Sequence, residues 1–210
     1  MIKVLIADDH TIVRAGLKQI LDCTSDIRVI DEAINGKEVL SKVAKKKFDI
    51  LVLDITMPGR DGLDILKELK SIQPELQVLI LTMHPEGQFA LRAMKAGASG
   101  YLMKISAPEE LIKAIRKVAL GEKYITSSLA QRLADSVVGD LKEPSHSVLS
   151  DREYKVFCLI ASGQMLKEIA SELSLSISTI TTYRKRLLHK MNMKTDAEII
   201  RYAIKEGLVD

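Results

Sequence analysis

Apolar residues are distributed in two different ways along the chain. Through residue 120, short apolar runs alternate with longer stretches whose apolar positions recur at helical spacing. The runs cover residues 4–7, 27–30, 50–53, 78–81 and, more weakly, 100–103. The helical stretches fall near residues 10–22, 36–46, 61–71, 86–96 and 108–119. Runs that are apolar almost throughout suit strands covered on both faces, as in a parallel sheet. Five strand–helix units of this size predict an α/β fold, a doubly wound five-stranded parallel sheet. Such a sheet opens its ligand crevice at the carboxyl ends of the strands.

After Gly121 the strand pattern stops. Residues 127–138 read as one amphipathic helix, and residues 139–147, with Gly139, Pro144, Ser145 and Ser147, read as a flexible connection. From Ser150 onward only helices are expected. Ser150-Asp151-Arg152-Glu153 and Thr195-Asp196-Ala197-Glu198 both have the spacing of a capping box. The predicted organisation is therefore an α/β domain over residues 1–120, a linker with a helix over 121–147, and a small all-α domain over 148–210.

Composition adds little except by what it excludes. The chain has 210 residues, 47% of them hydrophobic, and no Trp, so its cores are aliphatic. No apolar run approaches the roughly 18–20 residues that a membrane-spanning helix needs. Cys23 and Cys158 are far apart, each within an apolar periodic stretch, and without the spacing of a zinc site or a disulfide framework. With no leader-like N-terminus either, a cytoplasmic location is expected. The net charge of +3 is too small to imply a nucleic-acid partner, but its placement is informative. Arg184, Lys185, Arg186, Lys190 and Lys194 fall within residues 180–194, where there is no acid.

The candidate chemistry of the first domain lies at its strand ends. Asp8 and Asp9 follow the first strand, Asp54 the third, Thr82 ends the fourth, and Lys104 follows the fifth. One Asp after a strand is usually a helix cap. Carboxylates converging on one crevice repel each other unless a cation neutralises them, and oxygen-only ligands suit Mg²⁺. A carboxylate, a hydroxyl, an ammonium and a hard cation on one rim suit phosphoryl transfer to the carboxylate, where catalysis is mainly positioning and electrostatics.

The residues that carry this pattern are Ile6-Ala7-Asp8-Asp9-His10, the stretch Leu53-Asp54-Ile55-Thr56-Met57-Pro58-Gly59-Arg60-Asp61-Gly62, Leu81-Thr82, and Gly100-Tyr101-Leu102-Met103-Lys104. Together they closely resemble the receiver domains of two-component signalling. The resemblance implies that Asp54 accepts a phosphoryl group from a histidine kinase. It implies Mg²⁺ bound directly by Asp9, Asp54 and the Thr56 carbonyl, with Asp8 acting through water. It also implies contacts from Thr82 and Lys104 to the phosphoryl oxygens, and Tyr101 as an aromatic switch. Many receivers have Pro, after a cis bond, where this chain has Ile105.

In the second domain, residues 166–173 and a helix opening at Ser176 read as two helices joined by a short turn. Ile177, Ile180, Leu187, Leu188 and Met191 share the apolar face of the second. Ser178, Thr181, Thr182, Lys185 and His189 share the other, a face of hydroxyls and cations able to enter a major groove. Leu149-Ser150-Asp151-Arg152-Glu153, Gly163, Lys167-Glu168-Ile169-Ala170, the stretch from Leu175 to Ile180, and Lys190-Met191 look like the LuxR-type helix-turn-helix. The whole chain resembles the NarL/FixJ subfamily of response regulators, with Tyr183 where the family commonly has His and Leu166 where it often has Asn. The resemblance implies a four-helix domain and contacts to double-stranded promoter DNA. Ser178, Thr181, Thr182, Lys185, Arg186, His189 and Lys190 are the expected contact residues, and the last helix, residues 195–205, would be the surface of a phosphorylated homodimer. The expected function is thus a transcription regulator, catalysing only its own phosphorylation and dephosphorylation. A phosphorylation-independent adaptor, its C-terminal bundle binding protein, is the alternative. A metal-dependent phosphohydrolase using Asp54 is disfavoured, because position 56 is Thr rather than the second Asp such an enzyme would use as acid and base.

Overall fold

A computed structural model of the chain describes residues 1–138 and 145–209; of the connection expected at 139–147, residues 139–144 lie outside the described residues and 145–147 fall in a 3-10 turn. The chain divides into two compact units, Met1–Arg132 and Leu133–Asp210.

The first unit alternates strands and helices in the order β1 (Ile2–Ala7), α1 (Thr11–Asp22), β2 (Ile27–Ala33), α2 (Gly36–Lys45), β3 (Ile50–Leu53), α3 (Gly62–Ile72), β4 (Gln77–Thr82), α4 (Glu86–Lys95), β5 (Gly100–Met103) and α5 (Pro108–Ala119). The strands form one parallel sheet in the order β2-β1-β3-β4-β5. Period-two alternation sends Val4, Ile6, Ile50, Val52, Leu79 and Leu81 to one face, where they join Leu17 and Leu21 of α1 and Leu111, Ile115 and Val118 of α5. Leu5, Leu51, Leu53, Val78 and Ile80, also buried, alternate to the other face. This is why the central strands read as unbroken apolar runs.

β2 runs three residues beyond the apolar stretch. It is an edge strand, and Asp31 and Glu32 find partners there: Asp31 pairs with Lys42 and Lys46, and Glu32 with Arg14 and Lys18. The two Lys partners outweigh burial and hold the Asp31 carboxyl down to about 2. Helix ends follow their local chemistry. Asn35 caps α2 through the Glu38 N–H, and Asp61 caps α3 through the Leu63 N–H. Pro108 opens α5, with Glu109 and Glu110 in its first turn and Arg116 and Lys117 in its last, as the helix dipole favours. Cys23, expected within an apolar stretch, follows the last turn of α1 and is exposed; Cys158 is buried as expected.

Beyond α5 the chain stays beside the sheet. The Tyr124 N–H donates to Ser99 O at 2.9 Å, and the Tyr101 N–H donates to Tyr124 O at 3.4 Å. A Cβ at position 100 would meet Tyr124 atoms at 3.0 Å, so this close approach requires Gly100. The Thr126 hydroxyl then accepts the Leu129 N–H at the start of α6 (Ser127–Val138) and donates to Glu86 of α4 at 2.6 Å.

The second unit contains a 3-10 turn (Ser145–Val148), α7 (Asp151–Ala161), α8 (Leu166–Glu172), α9 (Ile177–Lys190) and α10 (Asp196–Lys205). Tyr154 and Phe157 of α7, Ile169 of α8, Ile180 and Leu187 of α9, and Ile199 and Ala203 of α10 are almost wholly buried. Between α8 and α9 the chain turns at Ser174, whose φ of 52° is left-handed, and Ser176 caps α9 through the Thr179 N–H. The Ser150–Glu153 capping box forms in full. The second expected box forms by half: Thr195 caps Glu198, but the Glu198 carboxylate accepts from the Lys194 N–H at 2.6 Å.

Candidate functional site

The sheet hydrogen bonding continues one rung past its strands, and this aligns the polar residues. The Asp8 N–H donates to Ala33 O at 3.1 Å, the Asp54 N–H to Ala7 O at 2.9 Å, and the Lys104 N–H to Thr82 O at 2.8 Å. Asp8, Asp54 and Lys104 therefore leave three strands at one level, on one crevice. Gly62 lets the following loop fold back against it, because a Cβ there would sit 2.4 Å from the Ile55 Cα. Ligand atoms of Asp8, Asp9, His10 and Asp54 lie within 4.8 Å of one another. His10 was not among the sequence-derived candidates; its place directly after the Asp pair was the only available signal.

Asp8 and Asp54 are each only 2% exposed. The Lys104 ammonium lies 2.6 Å from Asp8 Oδ2 and 2.7 Å from Asp54 Oδ2. The second Asp54 oxygen accepts the Thr56 N–H at 2.9 Å. Burial pushes the Asp54 carboxyl above the ordinary carboxylate range, and Lys104 only partly opposes it. Burial alone would lower the Lys104 amine, but the two carboxylates hold it above its usual value. No cis peptide occurs among the described residues, so the Lys104–Ile105 bond is trans.

The donor set fits a hard divalent cation. Three carboxylates cluster here, and the one ammonium among them contacts only Asp8 and Asp54. Asp9 Oδ1 and Thr56 Oγ1 are buried without a hydrogen-bond partner. His10 Nδ1 lies 3.0 Å from that Asp9 oxygen without hydrogen-bonding it. An acceptor-only oxygen buried beside other carboxylates is a natural cation ligand, and Mg²⁺ needs few such ligands.

Thr82 and Tyr101 are linked through one residue. The Thr82 hydroxyl accepts the His84 N–H at 3.3 Å, and the Tyr101 hydroxyl donates to His84 O at 2.9 Å. Both side chains are buried.

On α9, Ser178, Thr182, Lys185, Arg186 and His189 are exposed and Thr181 is half-buried, while Ile180, Leu187 and Leu188 face the core. The Thr181 and Thr182 hydroxyls donate back to the Ile177 and Ser178 carbonyls, so their lone pairs remain directed outward. Lys190, also exposed, differs from the others in having a partner within the domain. Its ammonium lies 2.6 Å from Glu153, the capping-box residue of α7, which is only 5% exposed. Lys190 therefore contributes to the domain's own packing. Arg184 is likewise drawn inward, to Asp196 at the start of α10.

A doubly wound sheet with this acidic crevice, followed by a helix-turn-helix unit, defines a response regulator. Residues 4–116 match the response regulator receiver domain, and residues 147–203 match the bacterial regulatory proteins of the luxR family. The chain belongs to this family of response regulators. It is 37% identical over 209 residues to the response regulator UvrY of Escherichia coli, covering 99% of this chain and 96% of the relative. It is 34% identical over 215 residues to the oxygen regulatory protein NreC of Staphylococcus carnosus, with 99% of each chain covered. Among solved structures it resembles RcsB from Salmonella enterica serovar Typhimurium bound to promoter P1flhDC in the presence of the phosphomimetic BeF3-. That match has a TM-score of 0.66 at 29% identity, covering 96% of this chain and 97% of the other. No described helix is long and apolar enough to cross a membrane.

Proposed function

We propose that this chain is a DNA-binding transcription regulator switched by phosphorylation of Asp54, with a sensor histidine kinase as donor. The observation that carries the reading is Asp54, buried at a strand end between the Lys104 ammonium and the Thr56 N–H, within reach of Asp8 and Asp9. An Asp54 carboxylate oxygen attacks phosphorus as the bond from phosphorus to the donor's nitrogen or oxygen breaks. Asp9 and Asp54, with the Thr56 carbonyl, would hold Mg²⁺ directly and Asp8 would act through water; the ion would supply neutralisation of charge on the phosphoryl oxygens. Lys104 presents its ammonium to one phosphoryl oxygen and Thr82 its hydroxyl to another.

Recruiting the Thr82 hydroxyl to the phosphoryl group removes the acceptor of the His84 N–H. The His84 carbonyl, which holds the Tyr101 hydroxyl, then has reason to move with its loop. The phosphoryl group need only favour one of two arrangements of Thr82, His84 and Tyr101 to shift their populations. The shifted form is the homodimer, joined through the exposed face of α10, that engages promoter DNA. Ser178, Thr181, Thr182, Lys185, Arg186 and His189 of α9 form the groove-facing surface. The reading places the protein in the cytoplasm, where kinase and DNA are both available.

The test is a footprint on the regulator's own upstream region and on genomic fragments recovered by the full chain, with and without acetyl phosphate and Mg²⁺. Protection of paired half-sites that strengthens on phosphorylation is expected. Protection unaffected by the donor would contradict the switch, and no protection at low salt would contradict DNA binding.

A further inference from the structure

Arg14 is a buried cation that the phosphorylation chemistry leaves unused. It lies one turn into α1, and its side chain is only 10% exposed. Its Nη1 donates to the Asp8 carbonyl oxygen at 2.8 Å, its Nε to Glu32 at 3.2 Å, and its Nη2 to the Thr11 hydroxyl at 3.4 Å. Glu32 belongs to β2, and the neighbouring Ala33 carbonyl accepts the Asp8 N–H. Arg14 therefore grips the Asp8–Asp9 peptide through its carbonyl and ties it to the edge strand.

We propose that Arg14, oriented by Glu32, is a positioning residue that sets Asp8 and Asp9 for the divalent cation. The Asp8 carbonyl and the Asp9 N–H belong to one rigid peptide plane. Fixing that carbonyl fixes the directions in which the two side chains leave the backbone. Asp8 is also held through its own carboxylate, by Lys104 and by the His10 N–H at 2.8 Å. Asp9 Oδ1 accepts no hydrogen bond and has only the exposed His10 ring near it at 3.0 Å, so its aim depends mainly on the backbone beneath it. A lysine would keep the charge but not the three-way fork that reaches a carbonyl, a carboxylate and a hydroxyl together. Groups behind metal ligands commonly change metal affinity about 10–100-fold when removed.

The inference rests on the Mg²⁺ site proposed above, and its test separates the two. Mg²⁺ binding to the full chain is measured by calorimetry for wild type, Asp9→Asn, Arg14→Met, Arg14→Lys and Glu32→Gln, with the melting temperature of each. Arg14→Met is expected to weaken Mg²⁺ about tenfold, and Arg14→Lys by less. The phosphorylation rate with acetyl phosphate should return towards wild type at saturating Mg²⁺, because the reacting groups are intact. Glu32→Gln, which leaves the core filled, should weaken Mg²⁺ about threefold and decides the matter if Arg14→Met does not fold. An Mg²⁺ affinity within twofold of wild type in Arg14→Met, or unchanged in Glu32→Gln, overturns the inference even if stability falls, since that is the result for a merely structural brace. No Mg²⁺ binding by wild type, or undiminished binding by Asp9→Asn, overturns the metal site itself.

Discussion

The Lys104 ammonium lies 2.7 Å from Asp54 Oδ2, and the chain between them spans two further strands of the sheet. That contact joins the proposed nucleophile to the cation that would contact the oxygens of its phosphoryl group. Asp8 shares the same ammonium at 2.6 Å, so removing Lys104 leaves two buried carboxylates facing each other. Lys104→Met should therefore destabilise the metal-free protein by about 3 kcal/mol. Mg²⁺ should recover much of the loss, which denaturant melts with EDTA and with Mg²⁺ would measure. Because the Lys104 amine is held above its ordinary value, its stabilisation is complete below that value and fades as pH rises through the raised one. The difference between variant and wild type should accordingly shrink in strong alkali, and also in acid, where the Asp54 carboxyl loses its charge.

Asp54 follows the opposite logic. Its carboxyl titrates above the ordinary range because burial disfavours the charge. A group raised in the fold stabilises below its unfolded value, and that contribution is lost as pH rises through the folded one. Where it is ionised, Asp54 thus opposes folding, and Asp54→Asn should melt a few degrees higher than wild type in EDTA at a pH above the Asp54 titration. The gap should close as the buffer is taken down into the carboxylate range. A lower melting temperature above that titration would contradict the assigned electrostatics.

On α9 the two lysines should behave differently. Lys185 is exposed, whereas Lys190 is paired with Glu153. Lys185→Ala should reduce the salt slope of DNA binding by about one and weaken specific and random duplexes alike, as for a lost phosphate contact. Lys190→Ala should mainly lower the stability of the C-terminal unit, with the salt slope little changed. Equal slopes for Lys185→Ala and wild type would remove Lys185 from the interface.

Ser150→Ala tests the cap beneath that unit. It removes the hydroxyl that accepts the Glu153 N–H, and caps of this kind contribute about 0.5–2 kcal/mol. A loss in that range, read by chemical denaturation, is expected; no loss would mean that the other half of the box, the Ser150 N–H donating to the Glu153 carboxylate at 2.9 Å, suffices to hold the helix end.

Much of this was legible in the sequence for identifiable reasons. The central strands are covered on both faces, so their apolar runs are unbroken, and Asp8, Asp54 and Lys104 follow those runs directly. The end of β2 was not legible, because Asp31 and Glu32 look like loop residues until the lysines of α2 and the cations of α1 are beside them. Arg14 and Lys190 were hidden for the same reason. A cation on a helix looks solvated in sequence, and their partners lie 18 and 37 residues away. Glu198 had the right spacing for a capping box, but spacing alone does not choose between two neighbouring N–H groups.

The most direct test of the account is phosphate incorporation at Asp54. The full chain is incubated with acetyl phosphate and Mg²⁺, and the product is followed by intact mass and by peptide mapping after borohydride trapping of the acyl phosphate. Wild type should gain one phosphoryl group, located at Asp54 and lost when Mg²⁺ is chelated before the donor is added, while Asp54→Asn should gain none. Incorporation into Asp54→Asn at the wild-type level, or none into wild type with Mg²⁺ present, would contradict it.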